Sequence, residues 1–224
     1  MPPTYAVRKA RKRPELNGKW NGPVWGAVET LGVASFRPES SDHRPMVQAR
    51  LLYNADGVYG IFRVQDKYVR CVHTDYQSYV SKDSCVEFFV QPKPGRGYLN
   101  FEMNCGGTLL LYHITDHERT ATGFKEYRPL PWDDGRTIAI YHSLPRVVEP
   151  EITVDTEWVL EFAIPFALLA KHIGDLGEIP GATWRANLFK CGDETSHPHW
   201  ASWSPVDELN FHLPRCFAPI TFAP

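Results

Sequence analysis

The sequence predicts an all-β protein, an antiparallel β-sandwich of jelly-roll or immunoglobulin-like type with one short helix. Three observations carry this. Short runs rich in Val, Ile, Phe and Tyr, many with period-two alternation, recur along the chain. The 19 prolines and 16 glycines are spread between those runs, so they mark turns and not one linker. Only one segment carries helix start and stop signals. Many short strands with a single helix define a sandwich or barrel.

Residues 1–14 are expected as an N-terminal arm, or Tyr5 to Ala10 as an edge strand, with residues 15–224 as a single sandwich domain. Met46 to Tyr53 and Val58 to Gln65 flank Asn54-Ala55-Asp56-Gly57, a hairpin with Asp-Gly turn chemistry. Ser84 to Gln91 is the next strand. Gly97 to Asn104 and Thr108 to Ile114 flank Cys105-Gly106-Gly107 and form a second hairpin. Thr137 to Ser143, Glu157 to Ile164, Thr183 to Lys190 and Ile220 to Phe222 complete the strands. The helix is Pro165 to His172, with proline in its first turn and Gly174 as a stop.

The 224 residues, 43% of them hydrophobic, suffice for one sizeable core. A formal net charge of -2 argues against nucleic acid, which demands a basic excess. The basic cluster Arg8 to Arg13 reads as a solvated arm. No apolar run approaches the roughly 18 residues of a membrane helix, so no membrane partner is expected. The N-terminus lacks an apolar signal core, which places the protein in the cytoplasm, or outside the cell if a leader has been removed. The five cysteines, Cys71, Cys85, Cys105, Cys191 and Cys216, are odd in number and include no Cys-x-x-Cys pair. At least one thiol is free, and a zinc knuckle is disfavoured.

Strand parity assigns faces. Val86, Phe88 and Val90 share one face, and Cys85, Glu87, Phe89 and Gln91 the other. Leu99, Phe101 and Met103 oppose Tyr98, Asn100, Glu102 and Asn104. Arg185 and Asn187 share a face of their strand. Either these are solvated sheet faces or they form a polar floor for a ligand. The stretch Cys191 to Trp203 gathers Asp193, Glu194, His197, His199, Trp200 and Trp203. Two tryptophans in one loop either plug the sandwich edge or supply a stacking platform. The apolar faces of sugar rings stack on indole, while carboxylates and amides bind the hydroxyls.

Several stretches resemble the family-9 carbohydrate-binding modules, within the DOMON-like β-sandwich group. They are Leu16 to Trp20 with Pro23 to Trp25, Leu51 to Tyr59, Lys82 to Phe89, Tyr98 to Asn104, Trp158 to Pro165, Trp184 to Asn187, Trp203, Phe211-His212 and Phe217 to Phe222. The match runs in order from about Leu16 to Phe222. The resemblance implies a module holding a terminal sugar of a mono- or oligosaccharide between two tryptophans. It places Trp203 on one of them and Glu87 on a sugar-contacting carboxylate. The other tryptophan falls near Val80, so Tyr79 is the candidate opposite face. A family arginine falls on Glu102. The full candidate ligand set is Trp203, Glu87, Tyr79, Glu102, Asn104, Arg185 and Trp200. The resemblance also implies structural calcium, with Asp42, Asp66 and Asp83 as possible donors.

The alternative is a stand-alone glycoside hydrolase or lyase using Glu87 and Glu102 as an acid–base pair, with His197, His199 or His212 as base or metal ligand. A haem-binding variant of the fold would use Met46 or Met103 with a histidine.

Overall fold

Period-two alternation in the sequence becomes sixteen strands in a computed structural model that describes residues 2–224. In chain order they are β1 (Tyr5–Lys9), β2 (Leu31–Gly32), β3 (Ser35–Phe36), β4 (Met46–Tyr53), β5 (Gly57–Asp66), β6 (Val69–Cys71), β7 (Cys85–Gln91) and β8 (Tyr98–Asn104). Then follow β9 (Leu109–Thr120), β10 (Gly123–Pro129), β11 (Ala139–His142), β12 (Val148–Ile152), β13 (Thr156–Pro165), β14 (Thr183–Cys191), β15 (Trp200–Ser202) and β16 (Ala218–Phe222). Two helices appear where one was expected: α1 (Trp132–Gly135) and α2 (Phe166–Ile173). The first is a single turn with no apolar periodicity to reveal it. The second starts after Pro165 and stops at Gly174, whose φ of +93° suits glycine. Among the described residues no helix is long and apolar enough to cross a membrane.

The strands form a mostly antiparallel, sandwich-like fold. One sheet runs β10-β9-β8-β7-β14-β16-β1, and the other runs β1-β4-β5-β13-β11. Strand β1 belongs to both. Its first half pairs in parallel with β16 (Tyr5 opposite Ile220) and its second half with β4 (Arg8 opposite Leu52). The segment expected as an arm or edge strand is therefore paired along its length, each half with a different sheet, and its Tyr5 and Val7 are core residues. The polar run Arg8 to Arg13 hid this, because only the first few residues alternate.

The inner faces are those that parity assigned. Val86, Phe88 and Val90 join Leu99, Phe101 and Met103 from the first sheet, and meet Phe62, Val64, Leu160 and Phe162 from the second. The Phe88 and Phe162 rings stack across the interface at 5.6 Å. Each such buried side chain contributes about 1.5–3 kcal/mol. Gly57 sits in the Asp-Gly turn where Asn54 Oδ1 accepts the amides of Asp56 and Gly57. A Cβ there would lie 2.2 Å from the Ile164 carbonyl oxygen, so β13 approaches that closely only because the residue is glycine.

The outer faces are covered rather than solvated. On the second sheet, Trp20, Trp25 and Val28 pack over Leu52, Tyr59 and Ile61. Glu161 pins that loop by accepting the Trp25 indole N–H at 2.7 Å and the amides of Asn17 and Gly18. On the first sheet, Phe89, Tyr98, Phe124 and Phe189 are roofed by Val206, Leu213 and Phe217.

One polar network crosses between the sheets. Lys190 of β14 is fully buried; its Nζ donates to the Cys191 carbonyl at 3.0 Å and to His199 Nε2 at 2.6 Å. It stands 3.4 Å from Asp66 Oδ2 at the end of β5. Asp66 also accepts from His43 Nε2 at 2.7 Å, Lys67 N at 2.9 Å and Trp158 Nε1 at 3.3 Å. Burial alone would push this carboxyl up, but the Lys190 charge and the His43 bond outweigh it and hold it well below the carboxylate range.

Removing one partner leaves the other buried and uncompensated. Lys190→Met is expected to cost about 3–5 kcal/mol in denaturant unfolding. The double change with Asp66→Leu should cost less than the sum of the single changes by more than about 1 kcal/mol. Strict additivity would show that the pair is not coupled.

Candidate functional site

Register places the polar groups of the first sheet in rows across its outer face. Phe189, Glu87, Glu102 and Leu110 lie side by side on β14, β7, β8 and β9. The neighbouring rows are Asn187, Phe89, Asn100 and Tyr112 on one side, and Cys191, Cys85 and Asn104 on the other. Over the Glu87–Glu102 row opens a cavity of about 410 Å³. Its floor is Glu87, Glu102 and Cys191, and its walls include Trp200, Phe211, Asp193 and Arg119.

Both floor carboxyls are buried, Glu87 at 2% exposure and Glu102 at 6%. Among the described residues Glu87 Oε1 accepts only from the Cys191 thiol, at 3.2 Å. Burial, reinforced by the neighbouring Cys191 and Glu102, pushes Glu87 well above the usual carboxylate range. Glu102 Oε1 accepts from Asn100 Nδ2 at 2.7 Å. Burial pushes Glu102 up to about 7, despite the lowering influence of the Asn100 amide. The site therefore holds carboxyl protons that act as hydrogen-bond donors near neutral pH.

Among the aromatic groups, Trp200 donates its indole N–H to Asp193 Oδ1 at 2.8 Å, which fixes the ring against the cavity. Phe211 stacks on Phe189 at 4.1 Å between centroids. His212 is held by Tyr98 OH at 2.9 Å and stands 3.9 Å from Glu102 Oε1. Burial, with Arg119 nearby, lowers its pKa well below the ordinary histidine value, so it is neutral.

Of the residues singled out from sequence, Glu87, Glu102, Trp200 and His212 come together here. Trp203 does not. It is 8% exposed and packs in the main core, because it lies three residues on from Trp200 along an extended segment and so faces the opposite side of the sheet. Tyr79 is 66% exposed beside Lys82 and is not part of the lining, although Ser81 two residues on is. Asn104 is consumed by the turn it closes, accepting from Thr108 N and donating to His73 O and Asp83 Oδ2. Arg185 donates to the carbonyls of Arg215 and Phe217 on another part of the surface. His197 stacks on Tyr68, and His199 is locked between Lys190 and the His197 carbonyl. Burial and the Lys190 charge lower His199 to about 3, so it is a neutral acceptor.

The possible calcium donors do not assemble. Asp42 is exposed and Asp66 is committed to the Lys190 network. Asp83 accepts from Val72 N, His73 N and Asn104 Nδ2. Met103 is a core residue and Met46 is exposed at the start of β4. Two groups bring three metal-ligating atoms close together: His43, Asp66 and His199, and Cys85, Glu87 and Cys191.

Sequence reasoning missed Arg119 and Phe211 as cavity residues. Arg119 lies beyond Ile114, where β9 continues as a polar hairpin with β10 and carries no alternation to mark it. Phe211 lies in a loop, and only its place in the family pattern drew notice.

These features define a two-sheet β protein with a sugar-sized cavity, floored by carboxyls and walled by aromatic rings, on one outer face. The model of carbohydrate-binding family 9 matches residues 27–222, and the chain belongs to that family. It is a carbohydrate-binding module. Among solved structures it is similar to one described as a carbohydrate-binding protein from Bacteroides uniformis, with 26% identity, a TM-score of 0.85, and coverage of 99% of this chain and 100% of that one. It is also similar in fold to a family-9 module from Caldicellulosiruptor kristjanssonii. The glucose complex of that module has 12% identity and a TM-score of 0.63, covering 97% and 95% of the two chains. Its cellotriose complex has 12% identity and a TM-score of 0.66, covering 99% and 94%. No curated protein matches the sequence.

The raised Glu102 pKa has a consequence for stability. The native state keeps a proton that the unfolded chain releases above about pH 4.5, so the stabilisation present at low pH is lost as pH rises through 7. Glu102→Gln keeps the acceptor for Asn100 and removes this cost, on the order of 1–3 kcal/mol at pH 8. Calorimetric melting should show the variant roughly 3–8 °C above the wild type at pH 8 and little different at pH 4.5. An equal difference at both values would mean that the proton is not the cause.

Proposed function

We propose that this cavity binds a mono- or oligosaccharide without turnover. Trp200 and Phe211 offer the stacking surface, and Glu87, Glu102, Asp193 and Arg119 read the hydroxyls. The observation that carries this is the pairing of a polar floor with an aromatic wall in one cavity. Its volume lies within the roughly 300–1,000 Å³ of small-molecule sites. A protonated carboxyl and a guanidinium donate, and the remaining carboxyl oxygens accept. Such a set suits hydroxyls, which do both. The glucose and cellotriose complexes of the Caldicellulosiruptor module support a glucose-type ligand.

Calorimetric titration with a panel of sugars tests this. At least one should bind saturably, and Trp200→Ala should weaken it by more than tenfold, about 1.4 kcal/mol or more. Trp203→Ala should instead lower stability by about 3–5 kcal/mol, with affinity kept in the fraction that stays folded. Wild-type affinity in Trp200→Ala would remove that residue from the site. New reducing ends after incubation with an oligosaccharide would favour the hydrolytic alternative, with Glu87 and Glu102 as the carboxyl pair.

A further inference from the structure

The structure assigns a metal site to the floor of the cavity: Cys85, Cys191 and Glu87 are placed to bind a thiophilic divalent cation of the zinc class, with a fourth position toward the cavity. Cys85 and Cys191 are directly opposite each other across β7 and β14, so both thiols project from the same face of the sheet. Glu87 is two residues along β7 and shares that face. The three ligand atoms all lie within 4.8 Å of one another, and Cys191 Sγ is 3.2 Å from Glu87 Oε1.

Tetrahedral zinc, with bonds of about 2.3 Å to sulfur and 2.0–2.2 Å to a carboxylate oxygen, needs ligand atoms roughly 3.5–3.8 Å apart. Shifts of under about 1 Å bring these three to that spacing. Three protein ligands with one open position is the arrangement of reactive rather than purely structural zinc sites. Two sulfurs and one oxygen favour zinc over calcium or magnesium, which take oxygen ligands. Glu87 and Cys191 line the cavity, so a cation has a route in, and the fourth ligand would be water or a sugar hydroxyl.

The other three-atom cluster shows by contrast why this one is open. At His43, Asp66 and His199 the place of a cation is taken by the Lys190 ammonium, 2.6 Å from His199 Nε2 and 3.4 Å from Asp66 Oδ2. No lysine or arginine stands within ion-pair distance of Glu87 among the described residues, and its hydrogen bond comes from a thiol. Cation binding would release the two thiol protons, and any proton on Glu87, to solvent, with no change of oxidation state.

The test uses the reduced, chelator-treated chain titrated with Co²⁺ and then Zn²⁺, with no sugar present, so it stands apart from the carbohydrate assignment. A thiolate-to-cobalt charge-transfer absorption should saturate at one equivalent and be bleached by Zn²⁺. Cys85→Ser, a position outside the cavity lining, should weaken Co²⁺ binding by more than about 100-fold, beyond what losing an outer-shell partner costs. Cys216→Ser, at a thiol remote from the cluster, should leave it unchanged. X-ray absorption of the zinc-loaded wild type needs no variant and should show two sulfur ligands. Absence of the charge-transfer band, an unchanged titration in folded Cys85→Ser, or a zinc shell without sulfur would each overturn the assignment.

Discussion

The cavity depends on the register of β7, which is hydrogen-bonded on both edges, to β8 and to β14. A slip of one residue would carry Glu87 into the core and Phe88 out of it. The stacking of Phe88 against Phe162 in the opposite sheet, with Val86 and Val90 beside it, makes that slip costly. The apolar inner face thus fixes the position of every polar group on the outer one. Glu87 and Glu102 are neighbours because Phe88 and Phe101 are.

A covering layer turns this polar row into a site. An open sheet face would leave the carboxyls in water, ionised and unremarkable. The Val206–Phe217 segment closes over the lower part of the face, anchored by Leu213 and Phe217 and by Arg37, which donates to the Val206 carbonyl. Desolvation then raises both glutamates, and Trp200, tied to Asp193, bounds the space left over. At the end of the sandwich, buried charge is handled differently. Lys190, Asp66 and His43 satisfy one another, so that network is closed where the cavity floor is open. The distinction lies in partners, since both clusters are nearly as deeply buried.

The strands were legible because burial on one face writes alternation into the sequence. Met46–Tyr53 was read with the bounds it has, and Pro165 with Gly174 marked the one helix longer than a turn. Parity correctly separated Glu87 and Glu102 from Phe88 and Phe101. What parity does not encode is which loop comes back over a face. Trp200 and Trp203 look alike in sequence, and only the pairing of β15 with β14 decides that one borders the cavity and the other enters the core. Asn104 and Arg185 were misplaced for a related reason. Each lies on the expected face, but one is used by a turn and the other sits on β14 four residues from Phe189, whose row carries the cavity. The extension of β9 and the existence of β10 left no trace, because a hairpin solvated on most sides has no reason to alternate.

The double membership of β1 bears on how the chain acquires its structure. Among the described residues the two sheets are continuous only through this strand, and its first half pairs with β16, more than 200 residues later in the sequence. Tyr5 must wait for Ile220. On a ribosome, β4, β5 and the hairpin of β7 and β8 are available long before β16 emerges, so the seam of the sandwich cannot close until β16 has followed them. Contacts of such separation carry a high loop-closure entropy and slow folding. Until that closure, one edge each of β4 and of β14 lacks its final neighbour, and the protein passes through a stage in which its own first strand competes with other chains for those edges.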